Sequence, residues 1–95
     1  MIEPSAQLRY ALTLFVTGAT PRSMRAIANL RRFCEAELTN LYDLEIVDLY
    51  AQPERAEDDA IVASPTLVRR RPEPKRYAIG DMSDSIALRR LFGGH

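Results

Sequence analysis

The chain of 95 residues carries 13 basic and 13 acidic side chains, a single histidine and a single cysteine. That length holds one domain with one core, and the charge balance creates no overall field toward nucleic acid or membrane, so an electrostatic partner must be read by a local patch. Cys34 alone excludes an internal disulfide, no apolar run is long enough to span a bilayer, and the chain is expected to be a soluble cytoplasmic protein whose near-zero net charge permits self-association.

The first residues, MIEPSAQ, contain Pro4 and Ser5 and are expected to form a flexible arm over 1–7. Residues 8–16, LRYALTLFV, set Leu8, Tyr10, Leu12, Leu14 and Val16 against Arg9, Ala11, Thr13 and Phe15, which predicts a strand covered on both faces. TGATPRS follows. Thr20 there is a capping residue and Pro21 suits the first helical position, where its missing N–H costs nothing. The helix that starts here is predicted to bury Met24, Ile27, Leu30, Cys34, Leu38 and Leu41, which recur at helical spacing.

Residues 44–49, apolar at Leu44, Ile46, Val47 and Leu49, predict a second strand, buried beside the first and parallel to it across the helix. A right-handed βαβ unit results. Pro53 and the acids Glu54, Glu57, Asp58 and Asp59 then predict a short, weakly anchored helix. Residues 66–68 and 76–79 are short apolar pieces expected to pair as a hairpin, followed by a Gly80-Asp81 turn. Ser83 is expected to cap a last helix bearing Ile86, Leu88, Leu91 and Phe92, with Gly93-Gly94 ending it and residues 93–95 as a tail. The order βαβαββα, with Pro65 just ahead of the third strand, predicts a single α/β domain of thioredoxin-like fold over 8–92.

Four segments carry a specific resemblance: LFVTGATPRSMRAIANL, YDLEIVDLY, AEDDAIVASPTLVRR and RYAIGDMSD. Together they resemble the KaiB family of clock proteins without gaps from Tyr10 to Ser83. The resemblance implies a non-enzymatic regulator whose partner is a KaiC-type ATPase, and homo-oligomers, dimeric or tetrameric. It also implies metamorphic behaviour: a thioredoxin-like state that binds the ATPase, and an alternative packing of the C-terminal half. Two packings of one sequence coexist only where they differ by a few kcal/mol. Where members commonly carry three prolines this chain has Pro72-Glu73-Pro74, and where a lysine often follows the paired acids it has Ala60.

The resemblance assigns Arg25 and Arg76 to partner contact. The run RRRPEPKR adds Arg69 and Arg70 as a basic patch suited to an acidic partner, the alternative being a solvated loop. Nucleic acid is not expected, since no aromatic platform accompanies the patch. Pro65 is expected to be cis, and Pro65, Pro72, Pro74, Gly80 and Asp81 are the candidate pivots of a fold switch. Thiol-redox chemistry needs a cysteine pair at the first helix start, where TGATPRS has none, and Cys34 is expected to be a core residue. Asp58 and Asp59 are expected to be solvated helix-start charges, Tyr42 and Tyr50 to close a core edge, and His95 to have no role. No cofactor or metal is expected. The alternatives to a clock regulator are a thioredoxin-like interaction module in stress signalling and a thiol-redox enzyme.

Overall fold

β1 (Tyr10–Val16) is the strand around which the rest is arranged: β2 (Tyr42–Asp48) pairs with it in parallel on one side and β3 (Thr66–Arg71) antiparallel on the other. β4 (Arg76–Ile79) pairs antiparallel with β3, so the sheet order is β2-β1-β3-β4. The helices are α1 (Pro21–Glu37), the one-turn α2 (Arg55–Asp58) and α3 (Ser85–Gly93). This computed structural model describes residues 9–93. The expected arm, Leu8 and His95 lie outside the described residues, and Gly93 is the last residue of α3 rather than part of a tail.

The main core lies on the side of the sheet that carries α1 and α3. Leu12, Leu14 and Val16 of β1 meet Ala26, Leu30 and Cys34 of α1 and Leu88 and Leu91 of α3 there. Tyr10 closes its rim: its ring stands edge-on to Phe92 at 5.1 Å, Phe92 stacks on Phe33 at 5.6 Å, and the Tyr10 hydroxyl donates to the Phe92 carbonyl oxygen at 3.3 Å. The opposite side is thinner. Phe15, Val47 and Val68 form a small second cluster with Leu49 and Ile61.

Thr20 caps α1 as expected, its hydroxyl accepting from the Ser23 N–H at 3.1 Å, with Pro21 at the first helical position. The buried face is shifted from the expected one. It runs Ser23, Ala26, Leu30, Cys34, while Met24 is 52% exposed and Leu41 lies beyond the helix end. Small side chains at Ser23 and Ala26 let the N-terminal turns of α1 sit close on the sheet, and a reading weighted toward large apolar residues passes over them. β2 also differs from expectation: it starts at Tyr42 and forms an edge, with Val47 its only buried residue. Tyr42 packs against the main core and its hydroxyl donates to the Glu35 carboxylate, whereas Tyr50 is exposed.

α3 is capped by Asp84 instead of Ser83. The Asp84 carboxylate accepts from the N–H groups of Ile86 and Ala87 at 3.1 Å, while Asp81 accepts from the Ser83 N–H in the preceding turn. Ile86, expected on the buried face, is exposed.

Gly18 sits at φ +69 in the turn after β1, and a Cβ there would lie 3.0 Å from the Tyr50 ring. Gly18→Ala is expected to lower stability by about 1–2 kcal/mol through its left-handed backbone, the exposed Tyr50 ring being free to move aside. Urea unfolding of the two proteins measures it.

Candidate functional site

The candidate site is the basic hairpin of β3 and β4 with the groups that hold it. β3 is longer than expected, so Arg69, Arg70 and Arg71 belong to the strand and not to a loop. Pairing of Leu12 with Arg69 and of Ala11 with Arg71 leaves Arg70 unopposed in a bulge. A bulge adds a residue, twists the strand and re-aims a side chain. Here Arg69 faces α3 and Arg70 faces α2.

Arg70 is engaged within the fold. Its guanidinium donates to both carboxylate oxygens of Asp59 at 2.8 and 2.7 Å, and its Nε donates to the Thr13 hydroxyl at 2.8 Å. Lys75 donates to the same Asp59 carboxylate at 2.9 Å, and the Tyr77 hydroxyl reaches the Asp59 carbonyl oxygen. The Asp59 side chain is 1% exposed. Asp58 is exposed as expected, but Asp59 is the buried centre of an ion-pair group that ties α2 to the hairpin. Ala60 follows at φ 54, a left-handed conformation that turns the chain just after the buried acid. Thr13 also donates to Glu45 at 3.4 Å, and Arg55 grips Glu45 at 2.9 and 3.0 Å, extending the polar layer to β2.

Arg69 is 4% exposed and, among the described residues, has no carboxylate partner. It donates to the carbonyl oxygens of Leu91 at 2.6 Å and Pro74 at 2.8 Å, and its Nε is buried without a partner. Burial, and next the neighbouring Arg76 charge, lower its pKa. Arg76 opposes Arg69 across the hairpin and is exposed. Arg25, on α1, is exposed and lies 3.7 Å from the Asp81 carboxylate, whose pKa is held down first by its hydrogen bond from Ser83. Of the four arginines expected at a partner surface, Arg25 and Arg76 therefore face outward, while Arg69 and Arg70 turn inward and brace the hairpin.

The peptide bonds before Pro65, Pro72 and Pro74 are cis, and Pro65 is buried, its carbonyl oxygen accepting from the Gly80 N–H at 3.0 Å. Gly80 takes φ +125, which favours glycine, and the next residue but one, Met82, takes φ 64 and buries its side chain. The pivot candidates thus cluster at the two ends of the hairpin. Cys34 is buried, and burial pushes its thiol up to about 11. Such a thiol is a weak source of thiolate near neutrality. The turn into α1, residues 17–23, carries the hydroxyls of Thr17, Thr20 and Ser23 and the exposed Arg22 where a cysteine pair would stand. The arrangement suits recognition of an acidic surface by fixed cations.

Sequence reasoning missed Asp59, Thr13 and Glu45 as a set. Asp59 and Arg70 are eleven positions apart across a proline-containing loop, a separation with no periodicity to reveal it. The usable signal is the position of Asp59 at the end of α2, where its side chain leaves the helix and reaches back over the sheet.

The family model described as KaiB domain matches residues 13–93. The chain is 44% identical over 77 residues to circadian clock protein KaiB3 of Synechocystis sp., covering 81% of this chain and 76% of that protein. It is 46% identical over 80 residues to circadian clock oscillator protein KaiB of a Synechococcus strain, covering 84% and 73%. Among solved structures, the N-terminal domain of Synechococcus elongatus SasA superposes with a TM-score of 0.77 at 23% identity, over 100% of this chain and 94% of that one. Mitochondrial thioredoxin 3 of Saccharomyces cerevisiae gives 0.73 at 15% identity over 92% and 80%. These two likenesses establish the thioredoxin-like fold.

The paired cations hold the Asp59 carboxyl near 2, below its ordinary 3.8, with the Arg70 hydrogen bond the largest cause. A depressed carboxylate stabilises the fold fully above the ordinary carboxylate range and loses that contribution as pH falls toward its folded value. The expected loss between pH 5 and pH 2 is about 2 kcal/mol. Asp59→Asn should cost about 3 kcal/mol at pH 7 and much less at pH 2 to 3, as measured by urea unfolding across that range.

Proposed function

The chain belongs to the KaiB family of circadian clock proteins, and we propose that it is a non-enzymatic, cytoplasmic regulator that docks on a KaiC-type ATPase and alters its phosphorylation or ATPase cycle. The observation that carries this reading is the extent of the family match, which spans the whole basic hairpin and α1. Arg25 and Arg76 make the contact, because they combine exposure with charge, and Arg69 and Arg70 fix the hairpin that presents Arg76.

The C-terminal half is the part that repacks. Residues Pro65, Pro72, Pro74, Gly80 and Asp81 bound β3 and β4 and serve as its pivots. Docking selects the thioredoxin-like state from two packings, the other belonging to homo-oligomers. A second reading, a thioredoxin-like module in stress signalling that never switches, draws on the Asp59 ion pairs, since a buried acid held by two cations favours a single packing. One unchanging set of NMR peaks after dilution distinguishes it from the switching protein.

Mixed for hours with the KaiC homologue of the same source, the protein is expected to elute with the hexamer on size-exclusion chromatography. Arg76→Glu and Arg25→Glu should each weaken the complex by about tenfold, about 1.4 kcal/mol. Absence of a complex with the unaltered protein overturns the docking reading. Cys34→Ser should leave the complex intact and, if insulin reduction is detected at all, leave that rate unchanged.

A further inference from the structure

β4 ends the sheet, and the two sides of this edge differ chemically. Side chains alternate along a strand, so Arg76 and Ala78 point to the α3 side and Tyr77 and Ile79 to the α2 side. On the α3 side a groove runs between β4 and α3, floored by Ala78 and Ala87 and flanked by Arg76 and Arg90. Among the described residues, neither of these exposed arginines has an ion-pair or hydrogen-bond partner. Beneath them lies Arg69, a third guanidinium without a carboxylate among the described residues. On the α2 side, in contrast, Arg70 and Lys75 are matched by Asp59 and Arg55 by Glu45. In a chain of zero net charge, the unmatched positive charge of the hairpin is thus gathered on one side of its open edge.

The other side of the edge is apolar. Ile61, Val62, Thr66, Tyr77 and Ile79 line a shallow hollow, with Val62 92%, Ile79 64% and Tyr77 48% exposed. An edge strand carries unpaired N–H and C=O groups, and addition of an extended peptide uses them for affinity and the flanking pockets for specificity. Here the flanking surfaces are cationic on one side and apolar on the other. A peptide strand laid about 4.8 Å beyond β4 would present successive residues to those two surfaces in turn.

We propose that β4 is the receptor for an extended segment of a partner protein in which acidic and large apolar residues alternate, added as a fifth strand with its carboxylates toward Arg76 and Arg90. The inference shares with the docking reading only the use of Arg76 as a contact; Arg90 belongs to this site alone.

The probe is a fluorescein-labelled octapeptide of alternating glutamate and valine, titrated with the full chain and followed by anisotropy. Two comparators are used: a peptide of the same composition with glutamates and valines in blocks, and the alternating lysine–valine peptide. Binding is expected for the alternating glutamate peptide, weakening with added salt, and at least about tenfold weaker for both comparators. Amide shifts and slowed hydrogen exchange should map to Arg76–Ile79 and Ala87–Leu91, and Arg90→Glu should lower affinity about tenfold. Arg32→Glu, on α1 away from the groove, should not. If either variant loses its dispersed amide spectrum, the shift map on the unaltered protein decides.

No binding, equal binding of the block peptide, or shifts centred on β2 overturns the proposal. So does concentration-dependent self-association that Arg90→Glu abolishes, which would make a second copy the occupant. Loss of the ATPase complex with peptide binding retained, or the reverse, separates the failure of one reading from failure of the other.

Discussion

A buried carboxylate organises the second half of this molecule. Asp59 lies under the one-turn helix α2, which has no buried residue of its own to hold it down. Its attachment comes from Arg70 and Lys75, supplied by β3 and by the loop before β4. Taking such a charge out of water is costly, and only good geometry with both oxygens satisfied offsets the cost. The bidentate Arg70 grip and the Lys75 contact meet that condition. The bulge that turns Arg70 toward α2 and the left-handed Ala60 both serve this one acid. The thin apolar cluster on that side, Phe15, Val47 and Val68, is extended by charge where hydrophobic area runs short.

Much of the fold is legible in the order of the residues. Thr20-Pro21 marks the start of α1 because capping and proline placement are local effects, and the alternation around β1 marks a strand because both its faces are covered. The family is legible in four segments, since their combination is specific where each alone is not. What escapes a linear reading is set at a distance. Which face of α1 is buried depends on how near the helix lies to the sheet, so small Ser23 and Ala26 displace Met24. Whether β2 is central or an edge depends on where β3 pairs, which its own apolar run does not encode.

The site follows the same division. That RRRPEPKR is a concentration of cations is evident from composition, but which of them are available is not. Strand alternation and one bulge send Arg69 to α3 and Arg70 to α2 and leave Arg76 on the surface, unpaired among the described residues. Similar side chains thereby acquire different tasks. A recognition surface made in this way is stiff, because Arg76 stands on a strand that Arg69 and Arg70 hold in place.

The rim formed by Tyr10, Phe33 and Phe92 joins the first strand to the last helix across almost the whole chain. On a ribosome, β1, α1 and β2 emerge early, yet Leu12, Leu14 and Leu30 keep an uncovered flank until Leu88, Leu91 and Phe92 arrive. α3 is thus the element that seals the core, and a nascent chain stalled shortly before it would display an apolar slot shaped like α3. Chaperone capture or aggregation in the cell would be decided in that interval, after β1 to β4 are made and before α3 is free.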